Sequence, residues 1–155
     1  NMIDVNVRAL HYIARQMLPH FIERDHGHII NVGSVAGLMP GGPYMATYYA
    51  TKSYVVSLTN AIAEELKRLG SHAQVHALCP GPVNTEFNDV ANVKFSLKGI
   101  SAKECVSYCI DEADKGKIII VPNKMVKLAA VAAKFVPREI VLGIVARSQK
   151  SKIER

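Results

Sequence analysis

The 155 residues, 17.0 kDa, fit one domain of ordinary size, and a folded chain of this mass buries roughly 70% of its extended surface. Apolar residues at 49% and charged residues at 21% exclude disorder as the general state, and ten Gly and seven Pro without a period exclude a collagen-like or low-complexity chain. Three Cys, odd in number and sparse, do not make a disulfide framework, so the expectation is free thiols in a reducing, cytoplasmic compartment.

No run of about 20 apolar residues is present. The most apolar stretch, 127–146, is interrupted by Lys134, Pro137, Arg138 and Glu139. The chain opens on an amphipathic pattern rather than a signal peptide. Its formal charge of +6 is uneven. Residues 1–114 hold nine Lys/Arg and eleven Asp/Glu, whereas residues 115–155 hold ten and two. A basic end of this kind reads as a solvated tail, or as a surface for anionic lipid, an acyl carrier or nucleic acid.

The first segment, 3–24, is predicted helical, because Ile3, Val7, Leu10, Ala14, Leu18 and Phe21 recur at spacings of three and four. Pro19 should kink this helix and Gly27 should stop it. Residues 28–32 are rich in β-branched side chains and predict a short buried strand. A Gly- and Pro-rich loop over 33–47 leads to a second helix, 48–69, with Val55, Leu58, Ile62 and Leu66 on one face and Gly70 at its end. A strand over 73–78 and a long loop over 80–99 follow. Ser101 with Glu104 is a capping box for a helix over 102–115. A third strand is expected at 117–121, then two helices at 124–135 and 138–149 separated by Pro137. Strands alternating with helices imply an α/β fold with a parallel sheet. Three parallel strands make a poor sheet alone, and the chain begins inside a helix, so it reads as one partial domain with further chain expected on the N-terminal side.

In such a sheet, ligands bind beyond the carboxyl ends of the strands. The loops beginning Gly33-Ser34 and Pro80-Gly81 leave two such ends, and the helix starting near Tyr48 begins on the same rim. Tyr48 and Lys52 share one helix face, one turn apart. An ammonium beside a phenol favours the phenolate, which suits proton exchange with an alcohol or carbonyl oxygen. Ser34 supplies a hydroxyl for the same oxygen.

Three segments occur in order: Asn31-Val32-Gly33-Ser34-Val35-Ala36-Gly37, Tyr48-Tyr49-Ala50-Thr51-Lys52 and Pro80-Gly81-Pro82-Val83-Asn84-Thr85, preceded by Asp4-Val5-Asn6-Val7. Together they resemble the short-chain dehydrogenase/reductase family up to about Val121. The resemblance implies the C-terminal part of a doubly wound, Rossmann-like domain, with residues 122–155 as substrate-side helices and a basic tail. It implies NADP or NAD as cofactor, NADP slightly favoured, and hydride exchange with an alcohol or ketone. Tyr48 would be the general acid/base, and Lys52 would bind the nicotinamide ribose and lower the Tyr48 pKa. Ser34 would hold the substrate oxygen, and Asn6 would position a water near Lys52. Pro80, Gly81 and Val83 would lie along the nicotinamide, with Thr85 on its carboxamide or the phosphates. Tyr49 lacks the four-residue offset from Lys52. Gly33 stands where many relatives have a second Ser. No Gly-x-x-x-Gly-x-Gly turn is present to receive a pyrophosphate, so these 155 residues alone are expected to bind dinucleotide weakly and to be inactive.

Other chemistry is less well supported. Ser34 is flanked by Val32 and Ala36, not by the glycines of a nucleophile elbow. Cys79, Cys105, Cys109 and the six His have no metal-ligand spacing and read as buried thiols and surface or core histidines. The basic end has no nucleic-acid reading motif, so no nucleic-acid partner is expected. The amphipathic stretches 128–136 and 140–146 fit a lid over the substrate site, a lipid-like substrate, or weak contact with a membrane surface. Helices 1–24 and 48–69 are expected to pair in a homo-oligomer. The alternative to an enzyme is a catalytically silent dimerisation module.

Overall fold

The computed structural model describes residues 1–84 and 99–153. A π-helical segment, Asp4–Ala9, runs into helix α1, Leu10–Arg24, which continues through Pro19. The helix stops at Asp25, in the left-handed region at φ 49°, two residues before the expected Gly27. Strand β1, His28–Val32, and helix α2, Ala46–Leu69, enclose a short 3-10 turn, Val35–Leu38. Strand β2 is Gln74–Leu78, and short strands β3, Val83–Asn84, and β4, Ile100–Ser101, pair in parallel. Helix α3, Ala102–Ala113, strand β5, Ile119–Ile120, and helices α4, Lys124–Ala132, and α5, Arg138–Ile153, complete the described chain.

Among the described residues the main sheet has the order β1-β2-β5 and is parallel throughout. The register sets Val32 beside Leu78, and Leu78 beside Ile120, so the three strands end at a common rim. Alternation along β2 covers both faces of the sheet. Val75 packs with Leu66 of α2 and with Leu18, Phe21 and Ile22 of α1, and Ala77 with Val56 of α2 and Val126 of α4. On the opposite face, Leu78 and Ile120 pack with Cys105, Cys109 and Ala113 of α3. Burying each Val, Leu or Ile side chain stabilises the fold by about 1.5–3 kcal/mol. β1 is less covered: Ile30 and Val32 remain 39% and 55% exposed.

The capping box forms as expected, with Ser101 Oγ accepting from the Glu104 amide at 3.2 Å and the Glu104 carboxylate accepting from the Ser101 amide at 2.8 Å. Gly70 ends α2 with φ 68°, a conformation that costs glycine little. Several boundaries differ from expectation, among them the end of α3, at Ala113 instead of 115, and the start of β2, at Gln74 instead of Ala73. α2 starts at Ala46 instead of Tyr48, because the turn from Gly42 to Met45 already presents the Met45 carbonyl to the Tyr49 amide at 3.1 Å. No side chain caps this end, so no polar residue announces it. The third strand shrinks to Ile119–Ile120, since the Lys117 amide is drawn to the Glu112 carbonyl instead. α4 stops at Ala132, where Lys134 and Phe135 amides turn back to Val131 and Ala132 carbonyls. α5 runs on to Ile153, past the expected end at Gln149.

Candidate active site

Two backbone hydrogen bonds join the loops that leave β1 and β2. The Gly33 amide donates to the Leu78 carbonyl at 2.8 Å, and the Val35 amide to the Pro80 carbonyl at 3.0 Å. Ser34 is therefore fixed in extended backbone between them. A Cβ on Gly33 would stand 3.1 Å from Cys79 Sγ and 3.3 Å from the Leu78 oxygen, closer than side chains ordinarily pack. This crowding favours glycine at the position. Ser34 Oγ caps the 3-10 turn, accepting from the Ala36 amide at 3.1 Å.

That turn delivers Gly37 directly onto α2. A Cβ on Gly37 would meet the Lys52 carbonyl, with its carbon at 2.6 Å, so only a glycine allows this approach. Ser53 Oγ donates to the Gly37 carbonyl at 3.3 Å from the same turn of helix. The contact brings the half-buried Tyr48, in the first turn of α2, over Ser34, and the Ser34 side chain hydrogen-bonds the phenol. Lys52, one turn further, lies with Nζ 6.0 Å from the centroid of the Tyr48 ring. Its ammonium donates to the Val32 carbonyl at 3.0 Å, which anchors it to the end of β1.

The electrostatics differ from the expectation of an acidified phenol. Burial raises the Tyr48 pKa above its ordinary 10.0, and the Ser34 hydrogen bond offsets this in part. Burial also lowers the Lys52 pKa from 10.5. The physical reason is desolvation, which penalises the charged form of each group. Cys79 lies behind the pair and is fully buried. Burial holds its thiol neutral, with a pKa pushed up to about 11.

Asn6 reaches this centre through a neighbour. Its Nδ2 donates to Thr51 Oγ1 at 3.2 Å, and Thr51 Oγ1 donates to the Tyr48 carbonyl at 2.9 Å. Asn6 thus braces the first turn of α2 beside Lys52. Pro80 holds the Ser34 loop through its carbonyl, and a Cβ on Gly81 would stand 3.0 Å from Val126 of α4. Val83 packs against the Leu78 and Ile120 cluster. Ser34, Tyr48, Lys52 and Pro80 are thus gathered at one rim, with Asn6 beside them, while Thr85 lies outside the described residues.

Several contributors were not identifiable from spacing. Gln149 of α5 donates to the Tyr49 hydroxyl at 2.7 Å, and the Tyr49 ring stands edge-on to Tyr48. Tyr49 is buried and its hydroxyl is engaged by α5 rather than by Ser34 or Lys52. Thr51 and the Val32 carbonyl act through contacts from distant segments, which no local pattern signals. Away from this rim, His28 at the start of β1 and His76 in the middle of β2 have Nδ1 and Nε2 2.9 Å apart in a stacked pair.

Ser34, Tyr48 and Lys52 thus converge beyond the carboxyl ends of a parallel sheet, where open α/β sheets bind their ligands. The family pattern described as short chain dehydrogenase matches residues 1–94. The chain belongs to that family. It is 42% identical over 110 residues to the NADP-dependent 3-hydroxy acid dehydrogenase YdfG of Escherichia coli K12, covering 69% of this chain and 40% of the relative. It is 30% identical over 152 residues to human 17-beta-hydroxysteroid dehydrogenase 13, covering 97% of this chain and 50% of the relative. Among solved structures, a short-chain dehydrogenase from Sphingobium yanoikuyae in complex with NADPH superposes with a TM-score of 0.71 at 27% identity, covering 85% of this chain and 52% of that one. The chain spans about half the length of the curated relatives it matches.

Proposed function

We propose that the protein carrying this chain is an NAD(P)-dependent oxidoreductase that interconverts a secondary alcohol and a ketone. The observation that carries this reading is the Ser34–Tyr48 hydrogen bond at the rim, with the Lys52 ammonium seated beside the phenol. A nicotinamide dinucleotide, when bound, supplies the hydride. The residues fit its ribose end: an ammonium has three protons, and Lys52 points one at Val32, leaving a geometry suited to hydroxyl groups on the open side of the rim. NADP is the favoured form, in keeping with the NADP-dependent relative named above.

In the reduction direction, Ser34 Oγ donates to the ketone oxygen and fixes it against the Tyr48 hydroxyl. Tyr48, kept protonated by burial, delivers its proton to that oxygen as negative charge develops there. Lys52 stabilises the phenolate left behind, and Asn6, through Thr51, keeps the first turn of α2 in place. Pro80 and Gly81 line the same rim beside Ser34, and Thr85 is proposed as a contact to the carboxamide or phosphates.

Three further features belong to the reading. The three cysteines are free thiols, which suits a reducing, cytoplasmic location. No helix among the described residues is long and apolar enough to cross a membrane. α1 exposes Tyr12, Ile13 and Met17, which suits a homo-oligomer through the first helix, whereas the apolar face of α2 is mostly covered by its own fold. A silent interaction module would use the same surface but has no need of the Ser34–Tyr48–Lys52 arrangement. The test is oxidation of NADPH and NADH by the protein with a panel of ketones, 3-oxo acids and ketosteroids among them. Turnover with at least one carbonyl supports the reading; none with any, by a folded protein that binds dinucleotide, refutes it.

A further inference from the structure

The last two helices each bury one face and leave an apolar face outward. α4 buries Val126 and Ala130, four residues apart, and turns Met125, Leu128 and Val131 to the other side, with Met125 78% and Leu128 70% exposed. α5 buries Val141 and Gln149 and presents Ile140 and Ile144. In the connection between them Phe135 is 86% exposed. Single exposed apolar residues are ordinary, but a gathering of this kind on consecutive elements marks an interaction surface. The same stretch, 124–150, carries six Lys/Arg and one acidic residue, Glu139.

Charge decides among the occupants. A second copy would set two cationic surfaces against each other. Nucleic acid would satisfy the cations but leave the aliphatic side chains unmatched, and Phe135 is the one aromatic residue of 121–155. A lipid interface of negative charge satisfies both: the aliphatic groups enter the acyl boundary while Lys and Arg reach the headgroups. We propose that the outward faces of α4 and α5, with Phe135 between them, dock this protein on an anionic membrane surface. Neither helix spans the bilayer; both lie along it. The docking surface adjoins the site. Lys134, Val136 and Arg138 line a crevice of about 480 Å³ with Gly37, Met39 and Pro40, and Arg138 donates to the Pro40 carbonyl at 3.3 Å.

The experiment is sedimentation of the protein with phosphatidylcholine vesicles, with and without phosphatidylglycerol. Two variants accompany it: Leu128→Ser with Phe135→Ser, and Lys124→Gln with Lys127→Gln and Lys134→Gln. All five side chains are exposed, and circular dichroism checks that the folds match. The expected result is at least tenfold tighter binding to the anionic vesicles at low salt, release at high salt, and at least tenfold weaker binding by each variant. Turnover of a soluble ketone by the Leu128 and Phe135 variant should stay unchanged, which separates this proposal from the catalytic one. No pelleting, equal binding to neutral vesicles, insensitivity to both variants, or a dimer that the Leu128 and Phe135 substitutions dissociate would overturn it.

Discussion

The Lys52 ammonium is bonded to the Val32 carbonyl at 3.0 Å, a link between the first turns of α2 and the end of β1 that spans 20 residues of sequence. It fixes the cation beside Tyr48 whether or not the phenol is charged. Lys52→Met removes both the anchor and the charge. We expect turnover to fall by about a hundredfold or more, while stability changes by no more than about 1.5 kcal/mol, the net scale of one hydrogen bond. Steady-state kinetics with a parallel urea melt measures both.

The phenol itself should titrate high. Burial raises the Tyr48 pKa above 10.0, so the folded protein holds that proton through neutral pH and releases it only under more alkaline conditions. A tyrosinate difference titration, wild type against Tyr48→Phe in the absence of dinucleotide, isolates this group. A midpoint above 10.0 is expected, whereas one well below it would mean that the ammonium outweighs desolvation.

Close backbone approach at Gly37 sets the distance between the Ser34 turn and α2. Gly37→Ala places a methyl group against the Lys52 carbonyl, and forced packing of this kind costs about 1–3 kcal/mol. Activity should drop along with thermal stability, because the methyl separates Ser34 from Tyr48. Gly143→Ala is the control: nothing lies within 4 Å of the added carbon in α5, and stability should rise by up to about 1 kcal/mol. Calorimetry of the two variants distinguishes a spacing requirement from a general intolerance of alanine.

Acid should weaken the fold through Glu112. Its carboxylate, buried at the end of α3, takes Lys115 Nζ at 2.8 Å and Lys117 Nζ at 2.5 Å. Hydrogen bonds from Lys115 and then Lys117 hold its pKa down at about 2, against an ordinary 4.5. A depressed folded pKa means that the contribution is complete above pH 4.5 and is lost as pH falls toward 2. Melting temperature followed from pH 6 downward (about the midpoint of the usual stability range) should fall more steeply for wild type than for Glu112→Gln. Parallel curves would contradict the assignment.

Much of this molecule was legible in its sequence, and the reasons differ by element. β1 and the capping box of α3 rest on local signals, a β-branched run and a Ser–Glu spacing, and both form at the expected residues, but β1 is largely exposed rather than buried, with Asn31 its one buried residue. The gathering of Ser34, Tyr48 and Lys52 at one rim followed from the rule that parallel strands present their carboxyl ends together. What escaped was set by contacts between distant segments. The start of α2 depends on a turn with no side-chain cap, and Tyr49 is withdrawn by Gln149 from one hundred residues away. The sign of the Tyr48 shift is not legible in the sequence, because spacing reveals a neighbouring charge but not the burial that opposes it.

The adjacent tyrosines offer the most direct test of the central claim, since they differ in partner and not in side chain. Tyr49→Phe removes a buried hydrogen bond to Gln149 and should cost about 1–3 kcal/mol of stability while leaving turnover within a few-fold. Tyr48→Phe, which loses one hydrogen bond to Ser34, should change stability by no more than about 1.5 kcal/mol and reduce ketone turnover by about a hundred- to ten-thousand-fold. Measured side by side, that reciprocal pattern is the predicted result; full turnover by a folded Tyr48→Phe protein would contradict the account.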